Sequence, residues 1–397
     1  MLDGRRTSDL IALCQELVRR PSVSGRETDV ARCVAEYMRS LGYDGVSIDS
    51  CGNVVGRICF SAPGGRLLLE AQMDHVETGD PASWSRYPYG AFIDGGRIYG
   101  RGAADQKGSL SAMILAGALL KEDLGTTLSG ELFVAATVHQ ERFEGFSSRV
   151  VGEAVRPDRV VLGEATDLQI ARGQRGRAEI VVETHGAMAH SAHPEYGVNA
   201  ANKMIKLVTT LKERFRPPTD PFLGKGILVL TGICSSPLPG AGAIPDRCTA
   251  TFDRRLLLGE TQDAVTGQIR ETVDRLAACD PSLKASVYIS RGEERCYTGS
   301  LLAGEHFAPA WVLSPEDEFL LRARSGLQRV GLPVRVCVRP GFGTNGCHYA
   351  GALGLPAILF GPSRQDRVHG VDEFIEIDEL ISACRGYYGI AASALDN

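Results

Sequence analysis

The chain has 397 residues, of which 44% are hydrophobic and 23% are charged, and its formal net charge is −5 at pH 7. This length predicts two domains, and the apolar fraction excludes a disordered chain. The Lys and Arg residues are scattered, which excludes a basic stripe for binding nucleic acid. No apolar run reaches the roughly 20 residues of a membrane span. Eleven cysteines stand without a CxxC pair, and no signal-peptide core precedes residue 8. We therefore expect a cytoplasmic protein with reduced thiols.

Apolar periodicity predicts helices and short strands that alternate through the first part of the chain. The elements fall at about 8–20, 27–41, 67–69, 109–120, 131–138 and 159–162, with strands at 67–69, 131–138 and 159–162. This alternation predicts an α/β sheet that is covered on both faces. In such sheets the functional residues gather just past the carboxyl ends of the strands. Four polar residues follow the predicted strands and indicate a shared site: Gln72, Gln140, Glu141 and Glu164.

The pattern changes in the middle of the chain and then returns. Predicted strands at 178–184, 226–232 and 248–252 and predicted helices at 199–215 and 260–278 indicate an inserted α+β domain. From about residue 311 the α/β pattern resumes, with a helix at 316–330, strands at 333–338 and 357–360, and a last helix after 377. We therefore expect an α/β/α catalytic domain with a mixed sheet, formed by residues 1–174 and 305–397, and an inserted domain of residues 175–304.

Carboxylates and one histidine make up the strongest candidate for chemistry. The set is Asp74, Asp105, Glu141, Glu164 and His369. Carboxylates gathered with an imidazole suit a divalent ion, and zinc accepts both oxygen and nitrogen ligands. The alternative is a set of unrelated carboxylates on the surface.

Six motifs in order resemble those of one enzyme family. They are LEAQMD at 69–74, YGRG at 99–102 with Asp105, Glu141, Gly163-Glu164, GAMAH at 186–190 and HGVDE at 369–373. The family is that of the zinc aminoacylases, carboxypeptidase G, succinyl-diaminopimelate desuccinylase and acetylornithine deacetylase, and the resemblance covers nearly the whole chain. Residues 163–166 and 173–179 are most similar to a branch of hydrolases linked to selenium metabolism.

The resemblance implies a catalytic α/β domain that is interrupted by a lid domain, which usually dimerises. It implies two metal ions bridged by Asp105, one of them held also by Glu141 and His369. The second ion would take Glu164 and the histidine of an HxD motif. A small-molecule substrate with an amide or related carbon–nitrogen bond, and a homodimer, follow from the same resemblance.

The first departure from the family pattern is Gln72, which stands where the HxD histidine is expected. Asp74 would normally orient that imidazole and has no obvious partner here. His75 is a poor substitute because it lies on the opposite face of the strand to Asp74. An amide oxygen is a weak zinc ligand, so we expect one zinc at Asp105, Glu141 and His369 and a weak or empty second site.

The second departure is Gln140, at the position of the family's general base. An amide cannot accept a proton from metal-bound water, and loss of such transfer typically costs about 10²–10⁴-fold in rate. His139 should point to the other side of the strand, whereas Glu144 in the following loop could substitute. The glutamines are consistent with three explanations: a site shifted away from ordinary hydrolysis, a catalytically silent binding protein, or an engineered Gln140.

The predicted catalytic residues are Gln140, Asp74 and His190, and His190 would also contact the substrate. In the family the residue that matches His190 reaches a neighbouring active site and polarises the scissile carbonyl; the alternative is a surface histidine. Arg255 matches an arginine that binds a substrate carboxylate, or it forms an ion pair with Asp253 or Asp246.

Thr344 and Asn345, in the loop 341–346, are predicted to face the substrate. The function expected from all these residues is a metalloenzyme acting on a small carboxylate-bearing substrate. Without a general base, its altered centre favours weak hydrolysis or chemistry such as acyl transfer, condensation or cyclisation.

Overall fold

The computed structural model describes residues 3–237, 242–337, 341 and 343–396. The chain forms two compact units. The larger unit comprises Met1–Gly173, Glu293–Ala303 and Val312–Asn397, and the smaller comprises Gln174–Gly292 and Gly304–Trp311.

The predicted boundaries of the inserted domain, 175–304, need correction at their carboxyl end. The segment Glu293–Ala303 belongs to the larger unit because Cys296 and Leu302 are buried in its core. The hydroxyl of Tyr297 also donates to the carbonyl of Gly52, at 2.9 Å. Apolar periodicity does not reveal such a contact, since it depends on a loop some 240 residues away in sequence.

An eight-stranded mixed sheet forms the centre of the larger unit, as the sequence predicts. In spatial order its strands are Gly45–Ile48, Val54–Cys59, Ser129–Thr137, Ala62–Gln72, Arg159–Gly163, Ala357–Phe360, Ile170–Ala171 and Val336–Cys337. The four strands from Ser129–Thr137 to Ala357–Phe360 run parallel, and Val54–Cys59 pairs antiparallel with the first of them. Consecutive residues of these central strands are buried, so both faces of the sheet are covered.

Seven helices of the larger unit are described. They are Gly4–Val18, Thr28–Ser40, Gly108–Leu124, Gln140–Phe143, Phe146–Val155, Glu318–Arg329 and Ile377–Leu395. The helix Gly108–Leu124 is buried at every position up to Leu120, which explains why its apolar residues show no single face. Gly326 and Gly389 let the last two helices approach closely, since a Cβ at Gly326 would lie 2.2 Å from the carbonyl oxygen of Gly389.

The smaller unit has the predicted α+β fold. Its antiparallel sheet has the order Ile227–Ser236, Arg247–Leu256, Gly176–His185 and Lys284–Ile289, and Phe307–Ala308 also pairs with Gly176–His185. Alternate residues of Arg247–Leu256 are buried, which indicates one covered face. The buried residues of that face form a core with the helices Ala200–Arg214 and Gln262–Cys279.

The remaining described strands are short. They are Phe92–Asp94, Arg97–Tyr99, Gly173–Gln174, Thr219–Asp220, Gly224–Lys225, Arg291–Arg295, Leu301–Glu305, Trp311–Val312 and Phe374–Glu376. None of the helices in the described ranges has both the length and the apolarity that a membrane crossing requires.

Candidate metal centre

The predicted site residues of the larger unit meet at the carboxyl ends of its parallel strands. Three of these strands end at Gln72, Thr137 and Gly163. Asp74, Gln140 with Glu141, and Glu164 follow directly, and parallel strands bring such residues to one edge of the sheet. Asp105 precedes the helix Gly108–Leu124, and His369 follows the strand Ala357–Phe360 by nine residues.

Asp105, Glu141 and His369 form a compact set of possible metal ligands. His369 Nε2 lies 2.9 Å from Asp105 Oδ2 and 3.3 Å from Glu141 Oε2. One ligand atom from each of the three residues lies within 4.8 Å of the other two, and no other such trio occurs among the described residues. The His369 side chain is 49% exposed, whereas the two carboxylates are largely buried, so the set is open on one side. Two oxygens and one imidazole nitrogen with an open position suit zinc.

The electrostatics of this set favour a cation. Burial, together with the charge of Asp105, raises the pKa of Glu141 to about 8. Burial and the charges of Asp105 and Glu141 raise the pKa of Glu164 well above its ordinary value. Hydrogen bonds to Asp105 and Glu141 raise the pKa of His369 to about 10. Without a cation these groups retain protons, which a divalent ion displaces when it binds.

Gln72 lies beside this set, but its amide oxygen has no partner. Its Nε2 donates to Glu141 Oε1 at 2.9 Å, and its backbone N–H donates to Gln106 Oε1 at 3.2 Å. The oxygen of the same amide is buried and accepts no hydrogen bond within the described structure. An unpaired buried carbonyl is unfavourable and is normally matched by a donor or a cation. The position therefore remains compatible with a ligand role for Gln72.

The amide of Gln140, at the general-base position, is hydrogen-bonded to Glu164. Gln140 Nε2 donates to Glu164 Oε1 at 3.3 Å, and Gln106 Nε2 donates to the same oxygen. Two neutral amides thus stabilise a carboxylate that the family resemblance assigns to the second metal. Gln106 was missed by sequence reasoning because only its neighbour Asp105 belongs to a matching motif.

Asp74 has a role that the sequence did not reveal. It accepts hydrogen bonds from the Ser24 hydroxyl at 2.7 Å and from the backbone N–H groups of Gln140 and Glu141 at 3.1 and 3.2 Å. The expectation that Asp74 has nothing to hold was therefore wrong: it orients the turn that carries Gln140 and Glu141. Burial raises the pKa of Asp74 to about 6, although these hydrogen bonds favour its charged form.

A buried ion pair supports the opposite side of the set. Arg101 Nη1 lies 2.6 Å from Glu373 Oε2, and Arg101 Nη2 donates to the carbonyl of His369. The other oxygen of Glu373 accepts from the backbone N–H groups of Ala104 and Asp105. Arg101 lies in the motif YGRG and Glu373 in the motif HGVDE. Their opposite charges were the one sequence feature that could have indicated this ion pair.

Comparison with known proteins identifies the family. Residues 68–393 match the model of peptidase family M20/M25/M40. The chain belongs to this family. It is 33% identical over 395 residues to the Escherichia coli K12 protein YgeY, covering 98% of this chain and 95% of YgeY. It is 24% identical over 401 residues to a Bacillus subtilis N-formyl-4-amino-5-aminomethyl-2-methylpyrimidine deformylase, and the match covers 94% of this chain and 91% of the deformylase.

Solved structures of the family share the fold. Aminopeptidase PepT from Bacillus cereus superposes with a TM-score of 0.73 at 18% identity, covering 98% of each chain. Bacillus subtilis YxeP, a dinuclear metal-binding peptidase of the M20 family, superposes with a TM-score of 0.73 at 15% identity, and the match covers 99% of each chain. The predicted family and fold are confirmed, and the M20 chain is a metal-dependent enzyme of the hydrolase type. The selenium-linked branch stays a prediction.

His75 does not replace the missing histidine ligand of the M20 chain. Its Nε2 accepts from the backbone N–H of Ser22 at 2.9 Å, and its Nδ1 lies 2.8 Å from the carbonyl of Val76. Both ring nitrogens are therefore engaged away from the carboxylates. Glu144, the proposed substitute base, lies against the loop 341–346, since a Cβ at Gly343 would be 2.4 Å from its Oε2.

Thr344 and Asn345 were predicted to face the substrate, but both are buried in the structure. The Thr344 hydroxyl accepts from the backbone of Gly346. The Asn345 amide donates to Glu70 and Thr137, and its oxygen accepts from the backbone of Gly145 at 2.7 Å. This arrangement gives Asn345 a structural role in place of the predicted substrate contact. Phe342 of the same loop and Val338, in a predicted strand, lie outside the described residues.

Replacing Glu70 by alanine should strongly destabilise the chain. Glu70 is buried and accepts hydrogen bonds from Ser148, Asn345 and Tyr349. Its removal takes away a buried acceptor shared by three donors and leaves a cavity, so we expect the free energy of unfolding to fall by about 3 kcal/mol. Denaturant unfolding measures the change. The control is Glu153→Ala, at an exposed position, whose free energy of unfolding should stay within about 0.5 kcal/mol of that of the native chain. An equal effect of both variants would contradict the role of Glu70 as the shared acceptor of this buried network.

The buried carboxyl of Glu27, near Asp74, should make the stability of the chain depend on pH. Burial and the nearby charge of Asp74 raise its pKa from 4.5 to about 7. Between these values the folded chain holds a proton that the unfolded chain has lost, so the free energy of unfolding falls as pH rises. Relative to Glu27→Gln, the native chain should lose up to about 3 kcal/mol between pH 4.5 and 7.

Thermal or denaturant unfolding across this pH range checks the Glu27 prediction. The matched control is Glu36→Gln, an exposed carboxylate in the helix Thr28–Ser40, which Glu27 directly precedes. The control should keep the pH slope of the native chain, whereas Glu27→Gln should reduce it. Parallel stability curves for the native chain and Glu27→Gln would contradict a raised Glu27 pKa.

His190 and Arg255 lie in the smaller unit, and each has a defined local environment. His190 is exposed, and its Nδ1 accepts from the backbone N–H of Ala192 at 3.0 Å, which leaves Nε2 as the protonated nitrogen of the neutral ring. Arg255 Nε lies 2.8 Å from Asp253 Oδ1, and Arg177 Nε lies 2.7 Å from Asp253 Oδ2. The alternative of an Arg255–Asp253 ion pair is thus present, and the substrate roles remain predictions.

Proposed function

We propose that this chain is a one-zinc enzyme that acts on an amide or related carbon–nitrogen bond of a small carboxylate-bearing substrate. Its altered centre favours acyl transfer, condensation or cyclisation over fast hydrolysis. One observation carries this proposal. The set of Asp105, Glu141 and His369 is compact, whereas the amide at the general-base position, Gln140, donates to Glu164.

Asp105, Glu141 and His369 would hold the zinc ion. When bound there, zinc supplies Lewis-acid polarisation of a substrate carbonyl. The protein groups fix the surrounding geometry, since Asp74 holds the backbone of the turn that presents Glu141. The neutral amide of Gln140 cannot take a proton from water, so an attacking group that needs no deprotonation by the protein is favoured.

The relatives support a carbon–nitrogen bond as the reacting group. Besides the deformylase, the chain is 25% identical over 410 residues to succinyl-diaminopimelate desuccinylase of Thioalkalivibrio sulfidiphilus, covering 96% of this chain and 98% of that protein. Both names denote removal of an acyl group. The intact ligand trio supports an enzyme over a catalytically silent binding protein.

A cluster of arginines in the smaller unit supports recognition of a substrate carboxylate by Arg255. Asp253 is the acidic partner of both Arg255 and Arg177. Burial, and after it the charge of Arg255, lowers the pKa of Arg175. Two guanidinium groups share the single carboxylate of Asp253, and the charge of Arg175 lies near that of Arg255; this excess of positive charge suits a carboxylate ligand. The Nε2–H of His190 is the donor proposed to polarise the substrate carbonyl.

A homodimer formed through the smaller unit is part of this proposal. The strand Ile227–Ser236 stands at one end of the sheet order and exposes Ile227, Val229, Leu230 and Ile233 at 38–52%. A long edge strand with exposed apolar residues favours pairing with another chain. Light scattering of the purified protein tests the dimer. No disulfide joins any two cysteines of the described residues, which supports the proposed cytoplasmic location.

The reaction is tested with zinc-loaded protein and a panel of N-acyl amino acids, with and without a primary amine as acyl acceptor. Mass spectrometry separates the hydrolysis product from the transferred amide. We expect the transferred amide to exceed the hydrolysis product, and His369→Ala to form neither. Fast hydrolysis with no transfer would contradict the altered-centre proposal. A chain that binds zinc but transforms no substrate would favour the silent binding protein.

A further inference from the structure

We propose that Gln72, Asp105 and Glu164 form a second, oxygen-only cation site that takes a hard divalent ion of the Mg²⁺ or Mn²⁺ class in preference to zinc. Gln72 is the residue that sets this preference. The inference rests on the proposed zinc at Asp105, Glu141 and His369, and it assigns a different kind of ion to the neighbouring position.

The amide oxygen of Gln72 is the first observation behind this site. The residue is 1% exposed, and its Oε1 has no hydrogen-bond partner within the described residues. Its Nε2, on the same carbon, donates to Glu141 Oε1 at 2.9 Å, which places the unpaired oxygen at the edge of the zinc set. A buried amide oxygen without a donor is suited to accept a cation.

The surrounding charge is the second observation. Glu164 and Asp105 are both buried, and Gln106, the residue after Asp105, donates from its Nε2 to Glu164 Oε1. Among the described residues, the side chains that donate to Glu164 are the neutral amides of Gln106 and Gln140, which supply no positive charge. One zinc ion leaves part of the negative charge of Asp105, Glu141 and Glu164 uncompensated. A second cation would compensate it.

The donor set determines which cation suits the position. Carboxylate and amide oxygens suit Mg²⁺, Ca²⁺ and Mn²⁺, whereas an imidazole nitrogen adds affinity for zinc. The proposed set contains three oxygens and no nitrogen, because Gln72 stands where the family motif has histidine. His75 does not supply the nitrogen, since Ser22 and Val76 engage its ring. The loss of an imidazole therefore weakens zinc binding more than it weakens Mn²⁺ binding.

The test uses Mn²⁺ as the probe and measures binding without reference to activity. Full-length protein loaded with zinc is dialysed, its zinc content is measured by plasma mass spectrometry, and Mn²⁺ is titrated while electron paramagnetic resonance follows the free ion. We expect the native chain to retain one zinc and to bind one further Mn²⁺. Gln72→Ala also removes a hydrogen-bond donor to the zinc ligand Glu141, so zinc affinity should fall to some extent, whereas Mn²⁺ affinity should fall further, by roughly 10–100-fold.

Gln72→His should retain two zinc ions through the same dialysis. Gln328→His, which adds a histidine on an exposed part of the helix Glu318–Arg329, is the matched control and should behave as the native chain. Two retained zinc ions in the native chain, or unchanged Mn²⁺ affinity in Gln72→Ala, would overturn the inference. One zinc without any Mn²⁺ binding overturns this inference alone, whereas a native chain that retains no zinc contradicts the proposed function.

Discussion

Asp105→Ala is expected to abolish zinc binding and with it the activity of the enzyme. Asp105 Oδ2 is 2.9 Å from His369 Nε2, and its charge contributes to the raised pKa of Glu141. Without this carboxylate the set keeps two ligands and loses the charge that favours a cation. Loss of a hydrogen-bond partner of a metal ligand typically costs about 10–100-fold in metal affinity. Because Asp105 is itself a proposed ligand, we expect zinc affinity to fall by at least about 100-fold.

Folding should survive this substitution, which makes the result interpretable. Removing Asp105 relieves its repulsion with Glu141 and Glu164 but also removes its pair with His369, so the thermal stability of the metal-free chain should change little. Asp105→Asn should lose zinc in the same way while keeping the shape of the side chain. Asp366→Ala removes an exposed carboxylate paired with Arg364 and should retain the zinc. Full zinc retention in a folded Asp105→Ala protein would contradict the assigned ligand set.

The double variant Gln72→His, Gln140→Glu is expected to gain hydrolysis of N-acyl amino acids by about 10²–10⁴-fold over the native chain. Gln140→Glu supplies a carboxylate that can accept a proton from water. Gln72→His supplies the imidazole that favours a second zinc. The rate of hydrolysis, measured by release of the free amino acid, checks this expectation.

The two substitutions should not be additive. Gln140 Nε2 lies 3.3 Å from Glu164 Oε1, so Gln140→Glu alone places two carboxylates at hydrogen-bond distance and one of them must retain a proton. Neutralisation of Glu164 by a second cation removes that conflict, and a double-mutant cycle measures the coupling. Gln328→His with Gln140→Glu is the control for an added histidine. No gain in hydrolysis, in a variant shown to hold two zinc ions, would mean that the substrate class is wrong.

The parts of the centre that follow strand ends were predictable from the sequence. The edge position of Glu141 and Glu164 follows from short apolar strands and from the geometry of parallel sheets. The convergence of Asp105 and His369 came from ordered motifs that resemble one family. Local patterns and motif order were sufficient for these residues, because strand ends and motifs are properties of contiguous segments.

The hydrogen-bond partners within the centre were not predictable in the same way. Asp74 orients the backbone of Gln140 and Glu141 through contacts that bridge more than sixty residues of sequence. Asn345 is part of a buried network around Glu70, although the sequence predicted that its loop faces the substrate. Such contacts depend on the register of neighbouring strands and on side-chain orientation, which periodicity and composition do not encode.

The most direct test of the one-zinc centre is anomalous diffraction at the zinc absorption edge from crystals of the zinc-loaded native chain. We predict one strong zinc peak among Asp105, Glu141 and His369, with no equal zinc peak beside Gln72 and Glu164. Two zinc peaks of equal height, or no peak at the Asp105, Glu141 and His369 set, would contradict the account.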